Sequence, residues 1–270
     1  MGAAAGRDGF VTDARGTAPE NRYYAAGEGR PAGVRALFAR IARRYDLIND
    51  LMSCGMHRRW KRRLADLAEP RPGDRGLDLC CGTGDVARAL ARAPRASGRI
   101  FVVGLDFTEE MLSIARRITP EALPVRYQRS DALALPFGDG EFQILTVAYG
   151  LRNLADLDRG LREAHRVLRP GGRLVSLEFG RPRGRILSAL YFAYLRAALP
   201  LFGLLFFGDP HTYAYIFASV TRFPGQRDLA GRMREAGFES VEVHDLMGGA
   251  MGICVARKLG EAAGAAAIPS

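Results

Sequence analysis

The chain is poor in the residues that build disulfide frameworks and metal centres. Its four cysteines, Cys54, the adjacent Cys80 and Cys81, and Cys254, form no C-x-x-C pair, and no histidine stands near them at zinc-ligand spacing. Neither a disulfide framework nor a metal site is expected. The N-terminus lacks a basic stretch followed by an apolar run, so no secretory signal is read. The expected compartment is the reducing cytoplasm, the inner face of its membrane included. Internal repeats are also missing, and the composition, 48% apolar and 25% charged, is unlike that of a disordered chain. At 270 residues it suits one globular core.

Negative charge is the other shortage. Against 39 lysines and arginines stand 29 acids, a formal net charge of +10. Such a field attracts polyanions, anionic lipid or nucleic acid, but bears on association and not on fold. Most of the excess is arginine in an Ala-, Gly- and Arg-rich sequence, so charge alone does not choose a partner. No RNA-binding motif and no base-stacking aromatic signature is present, and no nucleic-acid partner is expected.

What is there has a clear order. Residues 1–33 and 259–270 lack apolar periodicity and read as unstructured tails around a folded segment, 34–258. Between Val34 and Glu69, Leu37, Phe38, Ile41 and Tyr45 recur at helical spacing. The period then changes. Strands are expected at Gly76–Cys80, Ile100–Leu105, Val125–Gln128, Ile144–Ala148 and Leu174–Phe179, with helices at Val86–Ala93, Glu109–Arg117 and Leu157–Leu168 between them. A helix over Gln226–Ala236 and an antiparallel strand pair, Val241–Val243 and Gly252–Ala256, close the chain. The alternation implies an α/β fold with a mostly parallel sheet and helices on both faces. One long apolar run, Ile186–Phe207, has the length of a membrane span, but Arg196, Pro200 and Gly203 interrupt it inside the α/β pattern. It reads as an insertion that covers a site.

Chemistry gathers where strands end. Leu77-Asp78-Leu79-Cys80-Cys81-Gly82-Thr83-Gly84 puts glycines directly after a buried strand, where the backbone must turn tightly and let a ligand approach. Asp106 ends the second strand, roughly twenty residues on, where a carboxylate can accept both ribose hydroxyls of a nucleoside. The loop lacks the third glycine of a dinucleotide fingerprint, which suits a nucleoside ligand without a pyrophosphate. Asp131 and Ala132, followed by Leu135-Pro136-Phe137, stand after the third strand, where an adenine edge would lie. Cys81 beside the loop reads as a tolerated small residue, not a reactive thiol.

The glycine loop, Asp106 and the turn Arg166-Val167-Leu168-Arg169-Pro170-Gly171-Gly172 resemble class I S-adenosylmethionine methyltransferases, with their Rossmann-like, seven-stranded sheet and one C-terminal antiparallel strand. Two further motifs, Tyr45-Asp46-Leu47-Ile48-Asn49-Asp50-Leu51-Met52-Ser53 with His57 and Trp60, and Gly150-Leu151-Arg152-Asn153, resemble the ubiquinone and menaquinone biosynthesis C-methyltransferases over residues 35–258. The resemblance implies S-adenosyl-L-methionine as cofactor, held by Gly82, Thr83, Gly84, Asp106, Asp131 and Ala132. A side-chain contact made by a small hydroxyl residue in the family is lost at Ala148. His57 and Trp60, three apart, share one face of a helix, as functional residues of the signature or as packing under the sheet edge.

Methyl transfer from a sulfonium needs an activated acceptor more than an activated donor. A ring carbon becomes nucleophilic when its neighbouring phenol ionises, and Arg152 and Asn153, after the fourth strand, are the expected catalytic groups for stabilising that phenolate. Arginine stays protonated, so the proton must go elsewhere, to water, His57 or Tyr149. By the resemblance the acceptor is a lipophilic quinol, methylated in a menaquinone or ubiquinone pathway, and Ile186–Phe207 would cover its tail, touch a bilayer or form a homodimer interface. Arg181, Arg183 and Arg185 would then meet anionic head groups. Another phenolic acceptor, or an inactive cofactor-binding protein, is the alternative.

Overall fold

The structure, a computed structural model, describes Asn21, Tyr23 and residues 30–93 and 98–260. Most of the two expected tails lies outside these residues. Helix α1, Arg30–Ile41, begins ahead of the expected boundary at residue 33, and Asn21 Nδ2 donates to the His211 carbonyl at 3.0 Å. Tyr23 is tied to the same corner, its hydroxyl donating to Asp209 Oδ2 at 3.3 Å.

After α1 come α2 (Tyr45–Ser53) and α3 (Met56–Leu67), separated by Cys54 and Gly55, both with positive φ. That left-handed pair ends α2, and the Gly55 N–H returns to the Asp50 carbonyl at 2.8 Å. The α/β part follows as β1 (Arg75–Leu79), α4 (Asp85–Ala91), β2 (Phe101–Asp106), α5 (Glu109–Ile118), β3 (Val125–Arg129), β4 (Phe142–Ala148), α6 (Leu157–Val167) and β5 (Leu168–Phe179). Then come α7 (Arg185–Phe207), α8 (His211–Arg222), α9 (Gln226–Glu235), β6 (Ser240–Leu246) and β7 (Met251–Arg257).

The seven strands lie in the order β3-β2-β1-β4-β5-β7-β6, with β7 antiparallel to both its neighbours and the other pairings parallel. Alternation along each strand feeds two core layers. Leu77, Leu79 and Val147 pack with Leu161 of α6 and Leu229 of α9 on one face, while Val102, Ile144 and Ile253 pack with Leu64 of α3 and Leu90 of α4 on the other. Each fully buried side chain of this kind contributes about 1.5–3 kcal/mol.

A third cluster stands apart from the sheet faces. Leu37 and Ile41 of α1, Ile48 of α2, Leu195 and Leu199 of α7, and Tyr213 and Tyr215 of α8 are buried together. Phe38 edges onto Tyr215 with ring centres 6.0 Å apart. This cap sits at the carboxyl ends of the strands, since Phe107, which follows β2, and Phe179, the last residue of β5, pack against it. Its α7 runs unbroken through Pro200, packs on α8, and is the one described helix long and apolar enough to cross a membrane. Leu195, Leu199 and Gly203 face inward; Ile186, Leu187, Leu190, Leu201, Leu204 and Leu205 face out.

Candidate active site

The chain order reverses beside β1: β2 and β3 lie to one side, β4 and β5 to the other, and such switch points open a crevice at the strands' carboxyl ends. The loop after β1 holds Cys80, Gly82 and Gly84 at positive φ. A Cβ on Gly84 would run into the Tyr127 side chain, whereas one on Gly82 would meet nothing within 4 Å. Gly84 tightens the loop against Tyr127, and Gly82 leaves its backbone open to a ligand.

Carboxylates brace this loop from both sides. Asp78, buried at 1% exposure, accepts from Thr146 Oγ1 at 2.8 Å and from the Ala87 N–H at 3.0 Å, tying β1 to β4 and to α4. Burial outweighs those bonds and its carboxyl is pushed up to about 7. Asp106 Oδ2 accepts from the Gly82 N–H at 2.9 Å and Oδ1 from the Thr108 N–H at 2.8 Å. Asp106 therefore holds the loop as well as facing the crevice.

Two cavities open here. The first, about 180 Å³, is bounded by Gly82, Asp106, Asp131, Ala132, Ala148 and Asn153, with Phe38 and Tyr45 closing it from the cap. Below the glycine loop a recess of about 20 Å³ is lined by Thr83, Lys61 and Asp85. Thr83 Oγ1 donates to Asp46 at 3.0 Å, and Lys61 reaches Asp85 at 2.8 Å.

The second cavity, about 360 Å³, lies on the other side of Tyr45 and Tyr149, which line both. Its wall is aromatic, with Trp60, Phe179, Tyr191, Tyr213 and Tyr215, and includes Arg152, Asn49 and His57. Arg152 is 4% exposed; Nη1 donates to Glu178 at 2.9 Å and to the Tyr149 carbonyl at 2.6 Å, and the guanidinium lies 5.0 Å from the Phe179 ring centre. Burial works against its charge, but Glu178 holds it fully protonated. Burial also pushes Tyr45 and Tyr215 up to about 12, so both stay phenols.

Of the residues singled out in the sequence, Gly82, Asp106, Asp131 and Ala132 meet around the first cavity, Thr83 lines the recess beside it, and Gly84 is packed against Tyr127. Arg152 and Asn153 are separated. Arg152 faces the second cavity, whereas Asn153 faces the first, with Nδ2 on the Tyr149 carbonyl at 3.2 Å and Oδ1 buried without a partner. Of the arginines expected to meet head groups, Arg181, Arg183 and Arg185 are all exposed, and the first two have partners within the chain. Arg181 donates to the Phe223 carbonyl at 3.1 Å and Arg183 pairs with Asp245 at 2.9 Å. Sequence reasoning left Tyr45 and Asn49 inside a signature without a role and did not name Tyr191, Tyr213 or Tyr215. The spacing of Tyr45, Asn49 and Met52, one face of α2 turned to one cavity, was the signal for the first pair.

The sequence profile of the ubiE/COQ5 methyltransferase family matches residues 25–258. The chain belongs to that family. The 2-phytyl-1,4-naphtoquinone methyltransferase of Thermosynechococcus vestitus is 42% identical over 83% of this chain and 99% of its own length. The demethylmenaquinone methyltransferase of Thermus thermophilus is 47% identical over 75% and 91%, and the ubiquinone/menaquinone biosynthesis C-methyltransferase UbiE of Pseudomonas paraeruginosa 41% over 80% and 85%. Among solved structures, an S-adenosylmethionine-dependent methyltransferase from Thermotoga maritima superposes with a TM-score of 0.59 at 22% identity, covering 83% of this chain and 98% of that one. Phosphoethanolamine N-methyltransferase 2 of Haemonchus contortus, in complex with S-adenosyl-L-methionine, gives 0.55 at 16% identity over 74% and 52%. These two likenesses concern the fold, which is the class I methyltransferase fold expected from the sequence.

This member of the family is an S-adenosylmethionine-dependent methyltransferase. The first cavity fits that cofactor on its own chemistry: an open glycine backbone, a carboxylate at the end of β2, and the orphaned Asn153 Oδ1, which needs a donor from whatever fills the space.

Proposed function

We propose that this methyltransferase C-methylates the ring of a polyprenylated hydroquinone, demethylmenaquinol to menaquinol in preference to the equivalent ubiquinone precursor. The observation that carries the reading is the second cavity. It is large, aromatic and separated from the cofactor cavity only by Tyr45 and Tyr149, and its polar wall includes a buried arginine. The relatives named for phytyl-naphthoquinone, demethylmenaquinone and ubiquinone chemistry support the same acceptor class.

The cofactor, when bound, supplies a methyl group from a sulfonium whose leaving sulfur already carries the positive charge. The chain's own residues must place a ring carbon in line and keep water out. Gly82, Asp106, Asp131 and Ala132 are the proposed cofactor contacts, with Thr83 at the recess. Arg152 is the proposed stabiliser of the acceptor's ionised oxygen. Glu178 offsets its formal charge, so it acts as an oriented hydrogen-bond donor in a water-poor wall and not as a bare cation. Asn153, on the cofactor side, orients through the Tyr149 carbonyl that it shares with Arg152.

The apolar tail leaves past α7, whose Tyr191, Tyr194 and Leu195 wall the cavity. The exposed leucines of its outer face continue that apolar path and support a proposed cytoplasmic enzyme resting on the inner face of the membrane. The test is a comparison of demethylmenaquinol, a ubiquinone precursor and a soluble monophenol as methyl acceptors from labelled cofactor. Preference for the monophenol refutes the reading.

A further inference from the structure

Ionising the acceptor requires a base, and the second cavity offers few. Its described lining contains no carboxylate; Glu178, behind it, is engaged with Arg152. Arg152 is held charged and the buried tyrosines are held as phenols. His57 is the one imidazole in the wall.

Its surroundings decide its protonation. Nε2 lies 2.8 Å from Asp50 Oδ1, and Arg58 grips both oxygens of that carboxylate, Nε donating to Oδ1 at 2.7 Å and Nη2 to Oδ2 at 2.5 Å. A carboxylate only accepts, so Nε2 carries the hydrogen and the lone pair of the neutral ring falls on Nδ1. Ser53 anchors the backbone beside it: Oγ accepts from the His57 N–H at 3.2 Å and donates to the Asn49 carbonyl at 2.6 Å. His57 is 3% exposed, and Nδ1 is buried without a hydrogen-bond partner. A buried acceptor with no donor, in the wall of an aromatic cavity, calls for a ligand that brings an O–H.

We propose that His57, oriented by Asp50, accepts the proton of the acceptor's ring hydroxyl, a role that rests on reading the second cavity as the acceptor site. The O–H bond breaks with its electron pair left on oxygen, the proton joins Nδ1, and the imidazolium later releases it to solvent. The ring carbon then takes the methyl group as the C–S bond breaks, and the ring proton lost when the dienone rearomatises restores the hydroxyl, so one proton is shed overall and His57 carries it away. The charged groups around His57 are Asp50 and Arg58, Lys61 on its own helix, Asp46 on α2 and Asp85 on α4, with Arg152 elsewhere in the cavity wall. Burial and Lys61 push the imidazole below its ordinary value and outweigh Asp50 and Asp85, which leaves it neutral and able to take a proton at pH 7.

The test uses the full chain. A nitro-substituted naphthol, whose ionised form absorbs in the visible, should bind to the wild type as naphtholate at a pH below its free pKa, and to His57→Gln as the neutral naphthol. With the quinol, His57→Gln should lower kcat on the order of 10²-fold, leave cofactor affinity within about twofold, and remove the acid limb of the kcat/KM profile. Asp50→Asn, at the more exposed end of the dyad, should lower kcat on the order of 10-fold or more, by analogy with loss of a tautomer-fixing carboxylate. It carries the test if His57→Gln does not fold. An active wild type whose pH profile and naphthol spectrum survive both substitutions overturns the role of His57. A wild type that neither binds the naphthol nor methylates a quinol overturns the acceptor reading and the role of His57 together.

Discussion

Replacing Glu178 with Leu leaves the Arg152 guanidinium charged, 4% exposed and without its carboxylate. Stranding one member of a buried ion pair costs about 3–5 kcal/mol, a large part of the roughly 5–15 kcal/mol that holds a domain together. At about 2–4 °C per kcal/mol for a chain of this size, the midpoint should fall by roughly 6–20 °C. Arg152→Met strands Glu178, whose carboxyl burial already raises, and the double variant removes both charges. Urea denaturation of the two single variants and the double should show the double well above either single. Activity separates the pair's two roles. The double variant, folded and binding cofactor, should turn over on the order of 10²-fold more slowly at saturating quinol, because the oriented donor is gone. Raising the pH should restore it proportionally more than the wild type, since the acceptor then ionises without help. A Glu178→Leu protein within about 1 kcal/mol of wild type refutes the buried-pair argument. A double variant with normal turnover makes Arg152 a scaffold residue.

Asp106→Asn should weaken cofactor binding by about 2–4 kcal/mol, since it removes a charged acceptor and one of the two bonds that pin the Gly82 and Thr108 backbones; calorimetry on the folded variant, with unchanged affinity, would sink the ribose assignment. Asp78 binds its proton more tightly folded, at about 7, than unfolded, near ~3.9, so its stabilisation is full below the lower value and is lost as pH rises through the upper one. Denaturation at several pH values should show that decline in the wild type and not in Asp78→Asn. Leu190→Asp with Leu205→Asp, on the outward face of α7, should keep cofactor affinity and turnover of a short-tailed quinol while reducing cosedimentation with anionic vesicles and turnover of the long-tailed quinol. Loss of a homodimer in sedimentation, with vesicle binding intact, would assign that face to self-association instead.

The central strands were legible because burial on both faces makes each a short apolar run bounded by a turn, and the edge strands β3 and β6 because apolar and polar residues alternate along them. Helix α8, His211–Arg222, was missed for the opposite reason: Tyr213, Tyr215, Ile216, Ala218 and Val220 are buried around most of its circumference, so no apolar stripe contrasts with a polar one. The site was legible where chemistry sits at strand ends, in Gly82, Asp106 and Asp131. Arg152 and Asn153 looked like a unit because they are adjacent, but their short 3-10 turn points neighbours in different directions and puts Tyr149 between two cavities. Glu178, the partner that fixes Arg152, is twenty-six residues away in sequence, and only the pairing of β4 with β5 brings it near.

Carbon methylation of a prenylated quinol in the cavity beyond Tyr45 and Tyr149 is the proposed activity on which the other predictions rest. The most direct measurement is a single-turnover reaction of the purified enzyme with methyl-labelled S-adenosylmethionine and demethylmenaquinol in vesicles, followed by mass spectrometry and carbon NMR of the extracted lipid. One labelled methyl group on a ring carbon of the quinone, formed in amounts equal to the enzyme used, is the expected result. Label on a ring oxygen, or an unchanged quinol beside an enzyme that binds the cofactor, contradicts it.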